Sequence, residues 1–192
     1  MGKHIIIAGR MGSGKTTVER ELTARGYRRI VTYTTRPRRR DETQDVDYHF
    51  ISEEEFLAKK AASFFADAID YTGSFGHVYF GSARADYLGE DDTVIVLNPD
   101  GIETIRTLNL PVTVIYLDVS EALSRERAEE REDDSAAEID RRVKAENELF
   151  ARFEKHIKET MAILDAQGVE YSMLPEDILQ KTIYDHVYCT YI

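Results

Sequence analysis

The run Ile5-Ile-Ile-Ala8-Gly9-Arg-Met-Gly-Ser-Gly14-Lys15-Thr16 opens the chain with four apolar residues, a glycine-spaced turn and a lysine next to a hydroxyl. Four consecutive apolar residues read as a strand buried on both faces, and from Thr16 to Arg25 apolar positions recur at three- and four-residue spacing, as a helix requires. Gly9 to Thr16 fits G-x-x-x-x-G-K-[ST] in the strand-to-helix setting that this motif needs. Glycines let the backbone bend so that amides converge on phosphate oxygens, and a helix starting near Lys15 adds the positive end of its dipole. Lys15 is expected to bridge the two outer phosphates of a nucleoside triphosphate, and the Thr16 hydroxyl to hold Mg2+. Gly9, Gly12, Ser13, Gly14 and Thr17 complete the expected cradle. The motif by itself leaves GTPases, ATPases and kinases open.

Working outward, β-branched runs at Arg29 to Tyr33, Thr93 to Leu97, Val112 to Leu117 and Val169 to Met173 join Ile5 to Ala8 as strand candidates. Helical spacing fills Asp100 to Thr107, Glu121 to Arg131 and Ala136 to Ala166, and Ser135 with Glu138 and Ser52 with Glu55 have the form of capping boxes. Apolar strands alternating with helices predict an α/β fold of P-loop NTPase type, a parallel sheet with helices on both faces. The stretch from Tyr33 to Tyr87 breaks the alternation with short strand patterns, glycine-rich turns and aromatics, and reads as an insertion carrying its own small sheet. The run Arg125 to Arg142 is almost wholly charged and cannot be buried, so it is either a solvated helix face or a segment that meets anions. The expectation is one domain over residues 1–192, with an inserted subdomain at 33–87 and a lid at 125–142.

The charge balance narrows the partners. A formal net charge of −11 opposes general binding to nucleic acid or anionic lipid, which is mostly electrostatic, so anionic small molecules must meet local positive clusters. No apolar run approaches the roughly 20 residues that cross a bilayer, and the N-terminus reads as a strand and not a signal peptide; residence in the cytoplasm is expected. Cys189 is the only cysteine, which excludes an internal disulfide and a cysteine metal cluster. Monomer and homodimer both stay open.

One positive cluster stands out in the acidic chain: Arg36, Arg38, Arg39 and Arg40, with Asp47-Tyr48 shortly after. Guanidinium forks bind phosphate oxygens bidentately and a phenol adds a donor without charge. A hydrolase has no need of a second dense anion site, whereas a phosphate acceptor that already carries a phosphate does.

Thr34-Thr-Arg36-Pro-Arg-Arg39, Asp47-Tyr48-His-Phe50, Phe65-Ala-Asp67 and Phe80-Gly81-Ser82, following the phosphate loop in that order, resemble the guanylate kinase family from about Lys3 to Arg142. The resemblance implies an enzyme that moves the terminal phosphate of ATP, with Mg2+, onto a nucleoside monophosphate, GMP or dGMP being first choice. It implies that Arg36, Arg39 and Tyr48 bind the acceptor phosphate and that Thr32 and Asp67 face the guanine edge, with Ser82 also at the substrate. A carboxylate suits that edge because guanine N1 and N2 are adjacent donors. Phe80 stands where the family has a phosphate-binding tyrosine, and Tyr79 beside it is the candidate substitute. Arg127, Arg131 and Arg142 fall at the spacing of the lid arginines that flank ATP in such kinases, leaving Arg125 and Arg141 to face solvent. Three departures bear on the substrate: Leu97-Asn98-Pro99-Asp100 replaces an acidic pair, so Asn98 is expected at the substrate; Asp67 is one methylene shorter than the family's glutamate; and the loop from Thr72 to Val78 is longer. Another nucleoside monophosphate, a phosphorylated sugar, or a non-catalytic binding module on the same fold remain as alternatives.

Overall fold

The computed structural model describes residues 2–73, 76–108, 110, 112–130, 136–166 and 186–191. In chain order the first half comprises β1 (His4–Gly9), α1 (Lys15–Ala24), β2 (Arg28–Arg29), β3 (Tyr33–Thr34), β4 (His49–Phe50), α2 (Glu53–Ala61), β5 (Phe65–Gly73) and β6 (Gly76–Ala83). A 3-10 turn (Arg84–Tyr87) leads to β7 (Thr93–Val96), α3 (Pro99–Arg106), β8 (Val112–Asp118), α4 (Glu121–Glu129), α5 (Ala136–Ala166) and β9 (His186–Tyr191).

β1 is buried along all six residues because it is the middle strand of a five-stranded sheet, ordered β2-β7-β1-β8-β9. The two-residue side-chain period of a strand divides its apolar residues between two cores. Ile6 and Ala8 pack with Tyr116, Ile102, Ile105, Phe150 and Phe153 on the face covered by α3 and α5. Ile5 and Ile7 pack with Val18, Leu22, Ile115 and Leu117 on the face covered by α1. Each fully buried isoleucine contributes roughly 1.5–3 kcal/mol by leaving water, so a continuous apolar strand makes sense only in this two-sided setting.

The sheet is mixed and not purely parallel: β2, β7, β1 and β8 run parallel, and β9 pairs antiparallel with β8 at the edge. β9 covers backbone groups of β8 that an open edge would leave unpaired. Tyr188 and Tyr191 belong to this edge strand, while the candidate at Val169 to Met173 lies outside the described residues. The candidate at Arg29 to Tyr33 is in fact two strands in two sheets. Ile30 still bonds Val94 O (2.9 Å), after which the chain crosses over and Tyr33 pairs with His49 and Gly81.

Residues 33–83 build this second sheet, ordered β4-β3-β6-β5, with α2 on one face. The Ser52 hydroxyl caps α2 by accepting from Glu55 N (3.1 Å); the other box, at Ser135, lies outside the described residues. The β5–β6 ladder has a bulge between Phe65 and Asp67, with Phe65 opposite Ala83 and Asp67 opposite Ser82. In a regular strand residues 65 and 67 would share a face. The extra residue instead lets Phe65 stack on Phe56 of α2 while Asp67 turns the other way, toward α3.

Candidate active site

The turn from Gly9 to Lys15 leaves the carboxyl end of β1, where ligands collect in open α/β sheets. Gly12 and Gly14 have φ of 72° and 88°, a region costly for other residues, and a Cβ on Gly12 would lie 2.5 Å from Ser124 O. Gly14 precedes α1 without any side-chain cap, so no side chain stands between the positive end of that helix and a ligand. Ser13 Oγ is buried and has no hydrogen-bond partner. A cradle of uncapped amides with an unpartnered buried hydroxyl fits the phosphates of a nucleotide. Lys15 Nζ folds back over the turn and donates to Gly9 O and Arg10 O, 2.7 Å each. Thr16 and Thr17 are exposed in the first turn of α1.

Two helices grip this turn from the side. The Ser124 hydroxyl donates to Met11 O, Arg127 donates to Gly12 O (3.2 Å), and Met11 packs with Ala128, Ile139 and Val143. From α5, the Glu146 carboxylate accepts from Met11 N (2.8 Å), and Arg10 donates to Asn147 and to Glu154 (2.8 Å), which also accepts from the Tyr116 hydroxyl. Arg127 therefore touches the phosphate loop and Arg142 is half-buried on α5, whereas Arg131 lies outside the described residues. Arg125 is bonded to Asp140. Arg141, expected to face solvent, donates to Thr72 O and to the Tyr71 hydroxyl at 2.9 Å each, so α5 reaches the β5–β6 hairpin. The stretch from Thr72 to Val78, expected as a long loop, is mostly strand, Thr72 pairing with His77 and Gly73 with Gly76.

In the inserted segment the Arg36 guanidinium is buried under Tyr48 and Phe50, at 5.2 and 5.7 Å from the ring centroids. It pairs with both oxygens of Glu42, at 3.0 and 2.6 Å, and Glu42 also accepts from Arg39 N (2.8 Å). Burial pushes the Glu42 carboxyl up, but the Arg36 fork and the Arg39 amide outweigh it and hold the group below its usual range. Phe80 sits 6.2 Å from the Tyr48 ring. Tyr79 does not replace it, because neighbouring strand residues face opposite ways: the Tyr79 ring stacks on Phe56 of α2 at 5.2 Å. Arg29 hangs this segment on the core, pairing with Glu19 of α1 (3.1 Å) and donating to Val46 O (2.6 Å) and Asp47 O (3.1 Å).

Asp67 lies on the same face of the insert as Phe80 and Ser82, at 2% exposure. Its Oδ1 accepts from Ser82 N (3.0 Å) and from the Ser82 hydroxyl. Its Oδ2 points to the first turn of α3, 3.3 Å from where a Cβ on Gly101 would stand. Burial raises the carboxyl to about 6 against the opposing pull of the Ser82 bonds. Asn98 is close by, 3.4 Å from the same Cβ position, but its Oδ1 is engaged as the cap of α3, accepting from Gly101 N (2.9 Å). The contact expected between Asn98 and substrate is thus limited by a structural duty. Thr32 is half-buried, and its carbonyl accepts from His49 N (2.9 Å).

A family model described as guanylate kinase matches residues 1–172. The chain belongs to the guanylate kinase family. It is 34% identical over 155 residues to a guanylate kinase of Neisseria meningitidis serogroup A, spanning 77% of this chain and 74% of the relative. It is 32% identical over 151 residues to one of Symbiobacterium thermophilum, with 74% and 69% covered. The crystal structure of guanylate kinase from Anaplasma phagocytophilum shares the fold, with a TM-score of 0.60 at 22% identity over 94% of this chain and 80% of that one. Guanylate kinases phosphorylate GMP, and the chain is accordingly a kinase of the nucleoside monophosphate class. No helix among the described residues is long and apolar enough to cross a membrane. Within this guanylate kinase frame, sequence reasoning missed Glu42, Glu146 and Arg10. Only Glu42 left a local sign, as an acid two residues beyond an arginine cluster.

Proposed function

We propose that this chain transfers the terminal phosphoryl group of ATP to a guanine nucleoside monophosphate, GMP or dGMP. The observation that carries this reading is the pairing, on one face of the insert, of the Arg36–Tyr48 cluster with the buried Asp67–Ser82 pair. A cationic group supported by a phenol suits a phosphate, and a buried carboxylate suits a base edge rich in donors. A sugar phosphate would use the first and leave the second without a partner.

When bound, ATP supplies the phosphoryl group and Mg2+ neutralises part of its charge. Thr16 would hold the metal, and the glycine turn with the first amides of α1 would hold the phosphates, Gly9, Gly12, Ser13, Gly14 and Thr17 shaping that cradle. Lys15 must exchange the neutral carbonyls of Gly9 and Arg10 for phosphate oxygens, an exchange that charge favours. Arg36 must likewise give up Glu42, a charged competitor, with Arg39 and Tyr48 beside it. Arg127, already at the loop, and Arg142 would meet the charge that builds on the transferring group, as would Arg131. The acceptor phosphate is itself an anionic nucleophile at neutral pH, its second pKa being near 6, so no general base is required. Asp67 is covered by α3, and a base reaches it by parting β5 from α3, which couples acceptor entry to movement of the insert and so to exclusion of water.

Steady-state turnover with ATP and Mg2+ over the common ribo- and deoxyribonucleoside monophosphates tests the proposal. GMP or dGMP should show kcat/KM at least about tenfold above every other base, the discrimination that unpaired buried polar groups provide. A preference for another base removes the guanine assignment, and turnover with none of them removes the activity.

A further inference from the structure

Tyr87 ends the 3-10 turn that follows β6, fully buried in the core shared by Ile6, Ala66 and Ile102. A tyrosine so placed must spend its hydroxyl on a partner, and the partner is Ser82 Oγ at 2.8 Å. The direction of that bond follows from proton counting. Ser82 has one hydroxyl proton, and it is given to Asp67 Oδ1, which also takes Ser82 N. Ser82 can then only accept from Tyr87, so both hydroxyls point their protons toward the carboxylate. Oδ1 is saturated from this side, and Oδ2 is left facing Gly101 at the start of α3, a position without a side chain.

We propose that Tyr87 is a positioning residue for base recognition: through the Ser82 hydroxyl it fixes the Asp67 carboxylate so that Oδ2 is the oxygen left to read the acceptor's base. The inference rests on the proposed nucleoside monophosphate activity and deepens it. Tyr87 is itself held by its surroundings. His4 of β1 lies edge-on to its ring at 5.5 Å and is bonded to Thr93 Oγ1 (2.8 Å), tying the relay to the central strand and its neighbour. The titratable groups around the relay are Asp67, Tyr87, His4 and Asp86, the last on the same turn as Tyr87 and paired with Arg28 at 3.0 Å. Burial, and after it the neighbouring Asp67 charge, push the Tyr87 phenol far up, so it remains a donor across the working pH range. Without the phenol proton, Ser82 loses the bond that orients it, and Asp67 gains freedom to rotate and a weaker grip on its charge.

Tyr87→Phe keeps the ring and removes only the donor. The expected result is a rise of about tenfold in KM for the monophosphate, the worth of one buried hydrogen bond, with kcat and the KM for ATP within about twofold of wild type. The acid limb of kcat/KM should also move to higher pH, since a carboxylate with fewer donors ionises less readily; the acceptor phosphate titrates nearby, so the displacement between variant and wild type is what is read. In a Ser82→Ala background the same substitution should add nothing, because the effect of Tyr87 passes through that hydroxyl. An unchanged monophosphate KM in Tyr87→Phe, an equal change for ATP, or full additivity in the double variant overturns the inference alone. Absence of turnover with every monophosphate in the wild type overturns the proposed activity first, and the inference with it. Should Tyr87→Phe fail to fold, Ser82→Ala and Ser82→Thr decide: restoration of the monophosphate KM by threonine supports the relay, and equal impairment in both contradicts it.

Discussion

The turn between β1 and α1 and the arginine segment of the insert both concentrate positive character, but they do so by different means. In the first the donors proposed for phosphate are backbone amides held by glycine geometry, and the Lys15 ammonium donates to two neutral carbonyls. In the second the donors are side chains, and the central cation, Arg36, is gripped by a carboxylate and covered by two aromatic rings. A backbone cradle is rigid and reads only phosphate. A side-chain cluster held by Glu42 would exchange one anion for another under the proposed function, which would make the insert the part that senses its ligand. On the proposed function, catalysis falls mainly to the first region and discrimination to the second.

The largest expected effect lies at the first. Lys15→Ala should leave a folded protein by circular dichroism and lower kcat by roughly 10²- to 10³-fold, as the loss of one charge-stabilising contact does. Retention of more than half the activity in a folded variant would break the comparison at its simpler end.

The first region is legible because its parts are contiguous: glycine spacing, the preceding apolar run and the following helical period all sit within about twenty residues, the scale on which such motifs operate. The insert was legible as an interruption, and Arg36, Tyr48 and Asp67 as its polar residues, because their chemistry shows in the residue types. Which way they face was not. The bulge that turns Asp67 away from Phe65 depends on a pairing offset between β5 and β6, and the choice between Tyr79 and Phe80 depends on strand parity. The clamp on the phosphate loop is more hidden still, since Met11 and Glu146, and Arg10 and Glu154, meet only through packing of α5 on the sheet. The mixed edge at β9 escaped for a related reason, as nothing local distinguishes an antiparallel edge strand from tyrosine-rich packing.

Two carboxylates sharpen the contrast within the insert by responding to pH in opposite directions. Glu42 is held low by Arg36 and Arg39 in spite of burial, so its contribution to stability is present at neutral pH and fades as pH falls through its depressed value. Asp67 is raised by burial from 3.8 to about 6, so its contribution is complete below pH 4 and is lost as pH rises through 6. At about 1.36 kcal/mol per pKa unit, Asp67→Asn should gain up to about 3 kcal/mol of stability at pH 8 and almost nothing at pH 4. Thermal melts of the nucleotide-free protein and the variant between those limits check this. A gap that is constant with pH would mean that Asp67 is not ionising in a buried site.

The division of labour between the two regions is tested most directly by calorimetric titration of GMP and of ATP separately, in wild type and in Arg36→Ala. The account predicts that the variant binds GMP more weakly by about 1.5–3 kcal/mol, the worth of a charge-assisted hydrogen bond, while ATP binding stays within experimental error. An equal loss for both ligands, or a loss for ATP alone, would contradict it, because Arg36 would then serve the same phosphates as the glycine turn.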